Sequence, residues 1–368
     1  MLTRTQWASG QGRRSITMTL LGACMVGAGV VGVGAASASA ETILFIRGGA
    51  GTGGFLSGGS DSHLSDIGDQ STNGGNTAWG QFADLLESQG YTLEQLIEGP
   101  VDDNTPIDFT AIDLSAYAAI VLGSNNAEYT EASVDAVEAF VRAGGGLMAI
   151  SDANWGVNWG DAPTSDQPFL DRFGLIMNQD RGTYGICRGD GDFFVVGIDQ
   201  GDHPILAGIE CFDGEGVSPV SLADTVPPGV RRRILSNAEG QVRRNTSEGQ
   251  GPSSPATDDD ASLVIALAGR GRVVGHFDRN TFFNENGAGT SLVRLDNTAY
   301  ATQLMAWLSG RVTCDGDVNA DGNVDTSDLL SILSAWGSAE GGPEDINTDG
   351  NVGISDLLPV LAGWGMCS

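Results

Sequence analysis

The chain has 368 residues, and its 47 acidic groups face only 18 basic ones, every one of them arginine. A formal charge of −29 opposes binding to nucleic acid or to anionic membrane surfaces. Without lysine the chain can form no lysine Schiff base, P-loop or Ser-Lys dyad.

Residues 1–40 read as an export signal. Arg4, Arg13 and Arg14 come without an acid, an apolar Gly/Ala/Val-rich run extends from Ile16 to Ala36, and Ala38-Ser39-Ala40 precedes Glu41. Cleavage there leaves 328 residues (368 − 40) and a formal charge of −32, because three arginines depart. A membrane anchor is the competing reading, weakened by Gly27, Gly29, Gly32 and Gly34 and by the lack of a second apolar run. Arg13-Arg14 and Leu21-Gly22-Ala23-Cys24 partly match a twin-arginine signal and a lipobox. The expectation is a secreted or periplasmic protein with no stable membrane span. Cys24 leaves with the signal, and the four remaining cysteines permit three pairings. Cys187 with Cys211 and Cys314 with Cys367 is the expected set, the second bridge clasping a segment too short to bury much core. No C-x-x-C pair or nearby histidine favours zinc.

Residues 41–312 alternate between short apolar strands and amphipathic helices. Thr42–Ile46 reads as a strand, Trp79, Phe82, Ala83, Leu85 and Leu86 as a helix face, and Ala118–Leu122 as an all-apolar strand. A helix opened by Thr130-Glu131 turns Val134, Val137, Phe140 and Val141 inward, ends at Gly144-Gly145-Gly146 and leads into the strand Leu147–Ile150. This is the β-α-β alternation of a parallel sheet flanked by helices, an α/β fold. Leu263–Leu267 and Arg272–Gly275 look like later strands, followed by a closing helix with Ala299, Leu304, Met305, Trp307 and Leu308. The polar run Ser247–Asp260 is expected to be a mobile loop.

This order resembles the class I glutamine-amidotransferase-like, flavodoxin-like superfamily. The likeness is carried by Arg142-Ala-Gly-Gly-Gly-Leu-Met-Ala-Ile-Ser151, by Asp202-His203-Pro204-Ile205-Leu206 and by the stretch from Gly271 to Asn280. The resemblance implies a cysteine nucleophile on the elbow after Leu147–Ile150. The chain has Ser151-Asp152-Ala153-Asn154-Trp155-Gly156 there, so glutaminase activity is not expected. Ser151 lacks the flanking glycines of a G-x-S-x-G elbow. His203 reads as the start of a helix or turn, His276 as a hydrogen-bonded structural histidine, and His63 as a loop residue. A pocket in such a sheet belongs at the carboxyl ends of the strands. That rim would carry Arg47, Gly48 and Gly49, Asn125 and Asn126, then Asp152, Asn154 and Trp155, and finally His276, Asp278, Arg279 and Asn280, a set suited to a hydroxyl-rich ligand such as a polysaccharide.

Residues 313–368 repeat one pattern at an offset of 28 (345 − 317). Asp317, Asn319, Asp321, Asn323 and Asp328 occupy positions 1, 3, 5, 7 and 12 of a twelve-residue loop, and Asp345, Asn347, Asp349, Asn351 and Asp356 occupy the same positions of a second. Oxygen-bearing side chains at 1, 3, 5 and 12, a backbone carbonyl at 7, and Gly322 or Gly350 at the sharp turn are what Ca²⁺ requires, giving two ions. Each loop is followed by Leu-Leu and Trp-Gly, no helical period precedes the first loop, and no basic residue appears from Cys314 onward. Leu329, Leu330, Leu333 and Trp336, with Leu357, Leu358, Leu361 and Trp364, read as the faces through which two short exit helices pack. Pro359 falls near the first turn of the second.

The half-hand pair resembles the dockerin module, a small all-α fold with duplicated calcium loops. The resemblance implies a cohesin-like partner and a place in a polysaccharide-processing assembly. The chain departs from it at positions 10 and 11, where it has Thr326-Ser327 and Ile354-Ser355. The functional expectation is a secreted calcium-binding protein whose tail tethers an α/β domain without glutaminase activity. The competing expectations are a secreted hydrolase of glycosidic or ester bonds at the strand-end rim, and a calcium-stabilised cap that binds no partner.

Overall fold

A computed structural model describes residues 41–48, 64–99, 105–125, 127–151, 166–177, 181–182, 197–198, 203–214, 218–238, 241–246, 249–312, 314–338, 342–347 and 349–367. The signal reading of 1–40 lies outside them. No helix among the described residues is long and apolar enough to cross a membrane.

In chain order the strands are β1 (Thr42–Arg47), β2 (Thr92–Ile97), β3 (Ala119–Ser124), β4 (Gly146–Ile150), β5 (Leu175–Met177), β6 (Arg181–Gly182), β7 (Gly197–Ile198) and β8 (Val220–Leu222). They continue as β9 (Val230–Asn237), β10 (Gln241–Thr246), β11 (Gly249–Pro255), β12 (Ala261–Ala268), β13 (Gly271–His276), β14 (Asn323–Val324) and β15 (Gly365–Met366). The helices are α1 (Gly80–Ser88), α2 (Glu131–Arg142), α3 (Gln167–Asp171), α4 (Asn297–Leu308), α5 (Thr326–Ser334) and α6 (Ile354–Ala362).

The main sheet runs β2-β1-β3-β4-β13-β12-β8-β5, with β9 on β12 and β7 on β9. From β2 to β13 every pairing is parallel, as the β-α-β alternation of the sequence led one to expect. Alternation along each strand divides the core in two: Ile43, Phe45, Val121, Met148 and Val274 face one apolar cluster, and Leu44, Ile46, Ile120, Leu147 and Val273 face the other. Phe82 and Leu86 of α1 and Tyr300, Leu304 and Met305 of α4 cover the first face, and Val134, Val137 and Val141 of α2 the second. Each such side chain, taken from water, is worth about 1.5–3 kcal/mol. Thr130 caps α2, its hydroxyl accepting from the Ser133 amide at 3.3 Å.

Beyond β13 the sheet departs from the parallel expectation. β12 turns back antiparallel on β13, and β8, β9 and β5 extend the sheet with further antiparallel pairings. The run 247–260 is not a plain loop, because β11 pairs antiparallel with β10 from Gln241↔Pro255 to Thr246↔Gly249. In the closing helix, Ala299 is exposed and Tyr300 and Ala301 turn inward.

Residues 314–367 carry two loop-helix units. α5 and α6 pack on a small core of Val318, Val324, Ile332, Val352 and Val360, with Leu329 and Leu357 partly buried beside it. β14 pairs antiparallel with β15, and the Cys367 amide donates to the Gly322 carbonyl at 3.0 Å. Cys314 and Cys367 are joined, their Cα atoms 5.3 Å apart. Pro359 lies in the interior of α6 rather than near its first turn.

Candidate metal centre

The two loops repeat one another bond for bond. In the first, the Asp317 carboxylate accepts from the amides of Asp321 at 3.0 Å and Gly322 at 2.7 Å. In the second, Asp345 accepts from Asp349 at 3.0 Å and Gly350 at 2.9 Å. Asn319 and Asn347 each accept from the amide two residues on, at 2.8 and 2.9 Å, and donate a side-chain N–H to Asp321 or Asp349 at 2.9 Å. The carboxylate at position 12 reaches back over its loop: Asp328 accepts from Asn319 at 3.2 Å and Asp325 at 2.8 Å, and Asp356 from Asn347 at 3.1 Å and Gly353 at 2.8 Å. Gly322 and Gly350 sit at φ +88° and +83°, the left-handed turn that folds position 6 toward position 1.

The same atoms start the exit helices. Asp325 caps α5, accepting from the Ser327 amide at 2.6 Å, and Asp328 closes the box from the third helical position. Asp356 takes that third position in α6. One side chain therefore holds a helix start and supplies an oxygen to the loop.

These acids are buried: Asp317 is 7% exposed, Asp345 5%, and Asp328 and Asp356 0%. Burial pushes the Asp317 carboxyl up to about 7; the amides of Gly322 and Asp321 pull it back, and the carboxylates of Asp328 and Asp321 add to the rise. Burial likewise raises Asp328. Three carboxylates and one amide oxygen per loop, with no nitrogen or sulfur donor, form a set for a hard dication, so the residues present fit Ca²⁺. The neighbouring group of Cys314, Asp317 and Cys367 does not make a third metal site, because its two sulfurs are bonded to each other.

Of the eight leucines and tryptophans expected to pack, only Leu329 and Leu357 lie against the core. Leu330, Leu333, Trp336, Leu358, Leu361 and Trp364 are 48–59% exposed, forming an outward stripe duplicated at the same offset of 28, with Ile354 and Met366 also exposed. The helices carry two adjacent apolar stripes, and the one with smaller side chains (Leu329, Ile332, Ala335) takes the inside.

Asp152, Asn154 and Trp155, together with Gly49 and Asn126, lie outside the described residues. His276 is fully buried, with Nδ1 accepting from the Asp278 amide at 3.2 Å and its ring among Phe277, Phe282 and Tyr300. Burial lowers its pKa to about 3, so the imidazole is neutral at ordinary pH. Asp278 is 0% exposed and accepts from the Asn280 amide at 3.0 Å; Arg279 is 8% exposed, and its carbonyl accepts from the Trp79 indole at 3.2 Å. The rim expected from these three residues is therefore interior structure. Ser151 is also buried, its hydroxyl 3.4 Å from the Pro219 carbonyl. His203 opens a turn and is buried against Trp307. Arg47 pairs with Asp66 at 3.2 Å. Glu98, not singled out in the sequence, accepts from the Tyr129 hydroxyl at 2.5 Å and the Ala127 amide at 3.1 Å. Cys211 is disulfide-bonded, and Cys187 lies outside the described residues.

No protein-family model and no curated protein matches the chain. Solved structures similar to it include the mmIFT52 N-terminal domain, at 12% identity and TM-score 0.44, covering 73% of this chain and 97% of that one. A ThuA-like protein from Parabacteroides merdae is similar at 14% identity and TM-score 0.38, covering 74% and 90%. An exo-beta-1,4-mannosidase from an Opitutaceae bacterium is similar at 12% identity and TM-score 0.33, covering 73% of this chain and 36% of that one.

Proposed function

We propose that the protein is an exported calcium-binding protein whose residues 314–368 act as a dockerin-like tether, joining the α/β domain to a cohesin-like partner or an extracellular polysaccharide-handling assembly. The observation that carries the reading is the repetition, bond for bond, of two all-oxygen loops around buried carboxylates. A tether also needs a face to dock with. The duplicated stripe of exposed leucine and tryptophan is a large apolar surface of the kind that marks a protein interaction site. The polysaccharide part rests on the dockerin resemblance alone. No reaction is assigned to the α/β domain, since His276 and Ser151 are buried and bonded within the fold.

Amide chemical shifts test the calcium reading. Gly322 and Gly350 donate to the position-1 carboxylates, so both amides should move on calcium addition and return in chelator. Neither moving would remove the basis of the proposal. For the tether, a cohesin-like protein should bind the calcium-loaded chain and lose binding when Leu333 and Leu361 are replaced by aspartate. Unchanged binding would place docking elsewhere.

A further inference from the structure

A cleft of about 640 Å³ lies at the amino-terminal edge of the parallel strands, where Ala118 precedes β3, Gly145 precedes β4 and Arg272 stands near the start of β13. The tail closes its other side with Asp315, Asp317 and Val318. A space of this size falls in the range of small-molecule sites.

Two donors on the large-domain side of the cleft are left without an acceptor. Arg47, Arg142, Arg172, Arg294 and Arg311 are each paired with an acid. The Arg272 guanidinium, by contrast, makes no hydrogen bond or ion pair among the described residues, and its Cζ stands 5.8 Å from the centre of the Trp307 ring. His203 packs edge-on against the same ring and is 1% exposed. Its Nδ1 accepts from the Ile205 amide at 3.2 Å, and burial, with the charge of Arg233, lowers its pKa to about 3. The proton of the neutral ring therefore sits on Nε2, which finds no acceptor among the described residues although the side chain lines the cleft. A donor held this deep without an acceptor is a place for a ligand's oxygen. Across the cleft, the Asp317 oxygens are taken by amides, whereas the Asp315 carboxylate makes no hydrogen bond or ion pair among the described residues.

We propose that this cleft binds a small carboxylate-bearing molecule, its carboxylate held by Arg272 and His203 and its hydroxyls accepted by Asp315. The flat guanidinium fork matches the two oxygens of a carboxylate, and the Nε2–H of His203 adds a second direction of approach. A monoanion suits the site better than a dianion, because Asp315 and Asp317 stand on the opposite wall and repel further negative charge. Hydroxy acids and sugar acids share this chemistry.

Calorimetric titration of the mature full-length protein with D-glucuronate, lactate, glucose and sulfate tests this. Glucuronate should saturate one site and glucose should not, and sulfate should bind roughly ten-fold more weakly than glucuronate. Lactate binding as tightly as glucuronate supports the site with simple hydroxy acids as the source of its ligand; tighter binding of glucuronate supports it with sugar acids as the source. Arg272→Gln should weaken glucuronate roughly ten- to one-hundred-fold, and His203→Phe about three- to ten-fold. Arg272→Lys should fall between Arg272→Gln and the wild type, since it keeps the charge and loses the fork. In the wild type, where folding is not in question, the His203 Nε2–H resonance should shift on saturation with glucuronate. Absence of saturable carboxylate binding, glucose or sulfate binding as tightly as glucuronate, unchanged affinity in Arg272→Gln, or a His203 resonance that does not move overturns the proposal.

Discussion

Asp317 and Asp345 each give both carboxylate oxygens to backbone amides, so each loop is shaped before an ion arrives. Removing either carboxylate should cost one ion and leave the other, and calorimetric stoichiometry should fall from two to one for Asp317→Ala or Asp345→Ala and to zero for the pair. The duplicated loop conformation was legible in the sequence because spacing in a twelve-residue loop fixes geometry locally. His276 is the hydrogen-bonded structural histidine the sequence suggested, but its removal from the strand-end rim was not legible, since its burial depends on rings contributed by residues distant in sequence. Its pKa is lowered in the folded state to about 3, against an ordinary 6.5. Below pH 6.5 the unfolded chain therefore binds a proton that the folded chain refuses. The stability from neutral His276 is complete above 6.5 and is lost as pH falls toward 3, at about 1.4 kcal/mol per pH unit. His203, also lowered to about 3 by burial and by Arg233, adds a second loss of the same sign. Urea titrations between pH 4 and 7 should show a shallower acid-side loss for His276→Leu than for the wild type. An unchanged slope would mean that the imidazole is not held neutral.

Among the elements, α5 and α6 show what periodicity could and could not decide. The segments Asp328–Trp336 and Asp356–Trp364 carry apolar residues on two neighbouring stripes, so the existence of the helices was readable but the buried face was not. The structure buries Ile332 and Val360 and leaves Leu333 and Leu361 outside. Ile332→Ala should therefore cost about 2–4 kcal/mol of tail stability, whereas Leu333→Ser should stay within about 0.5 kcal/mol. Chemical denaturation of the calcium-loaded chain separates them, and equal losses would return the leucine stripe to the core. The β10–β11 hairpin was hidden in the sequence because Gly249–Pro255 holds Gly, Ser and Pro and no apolar alternation; backbone pairing alone defines it. Edge strand β2 was passed over for a related reason, being half-exposed along its length.

At the scale of the whole molecule, the parallel half of the sheet was legible because β1, β3 and β4 are apolar on both faces, the mark of strands covered by helices on each side. The antiparallel half was not, since strand direction follows from pairing partners that no single segment names. The placement of the tail at the amino-terminal edge, opposite the strand ends, was equally invisible, because it rests on contacts such as Arg231 with Glu344. The Cys314–Cys367 bridge closes the tail over a separation of 53 residues, and opening it should cost about 4 kcal/mol of tail stability by the loop-entropy relation. Comparing thermal unfolding of the paired Cys314→Ser and Cys367→Ser chain with the wild type in chelator checks this. The claim on which the rest depends is that the two loops hold calcium. Native mass spectrometry of the mature chain, exchanged from calcium buffer into a volatile salt, counts the ions directly. The account predicts two calcium ions on the wild type and none on the chain carrying both Asp317→Ala and Asp345→Ala; a wild-type protein carrying one ion or none contradicts it.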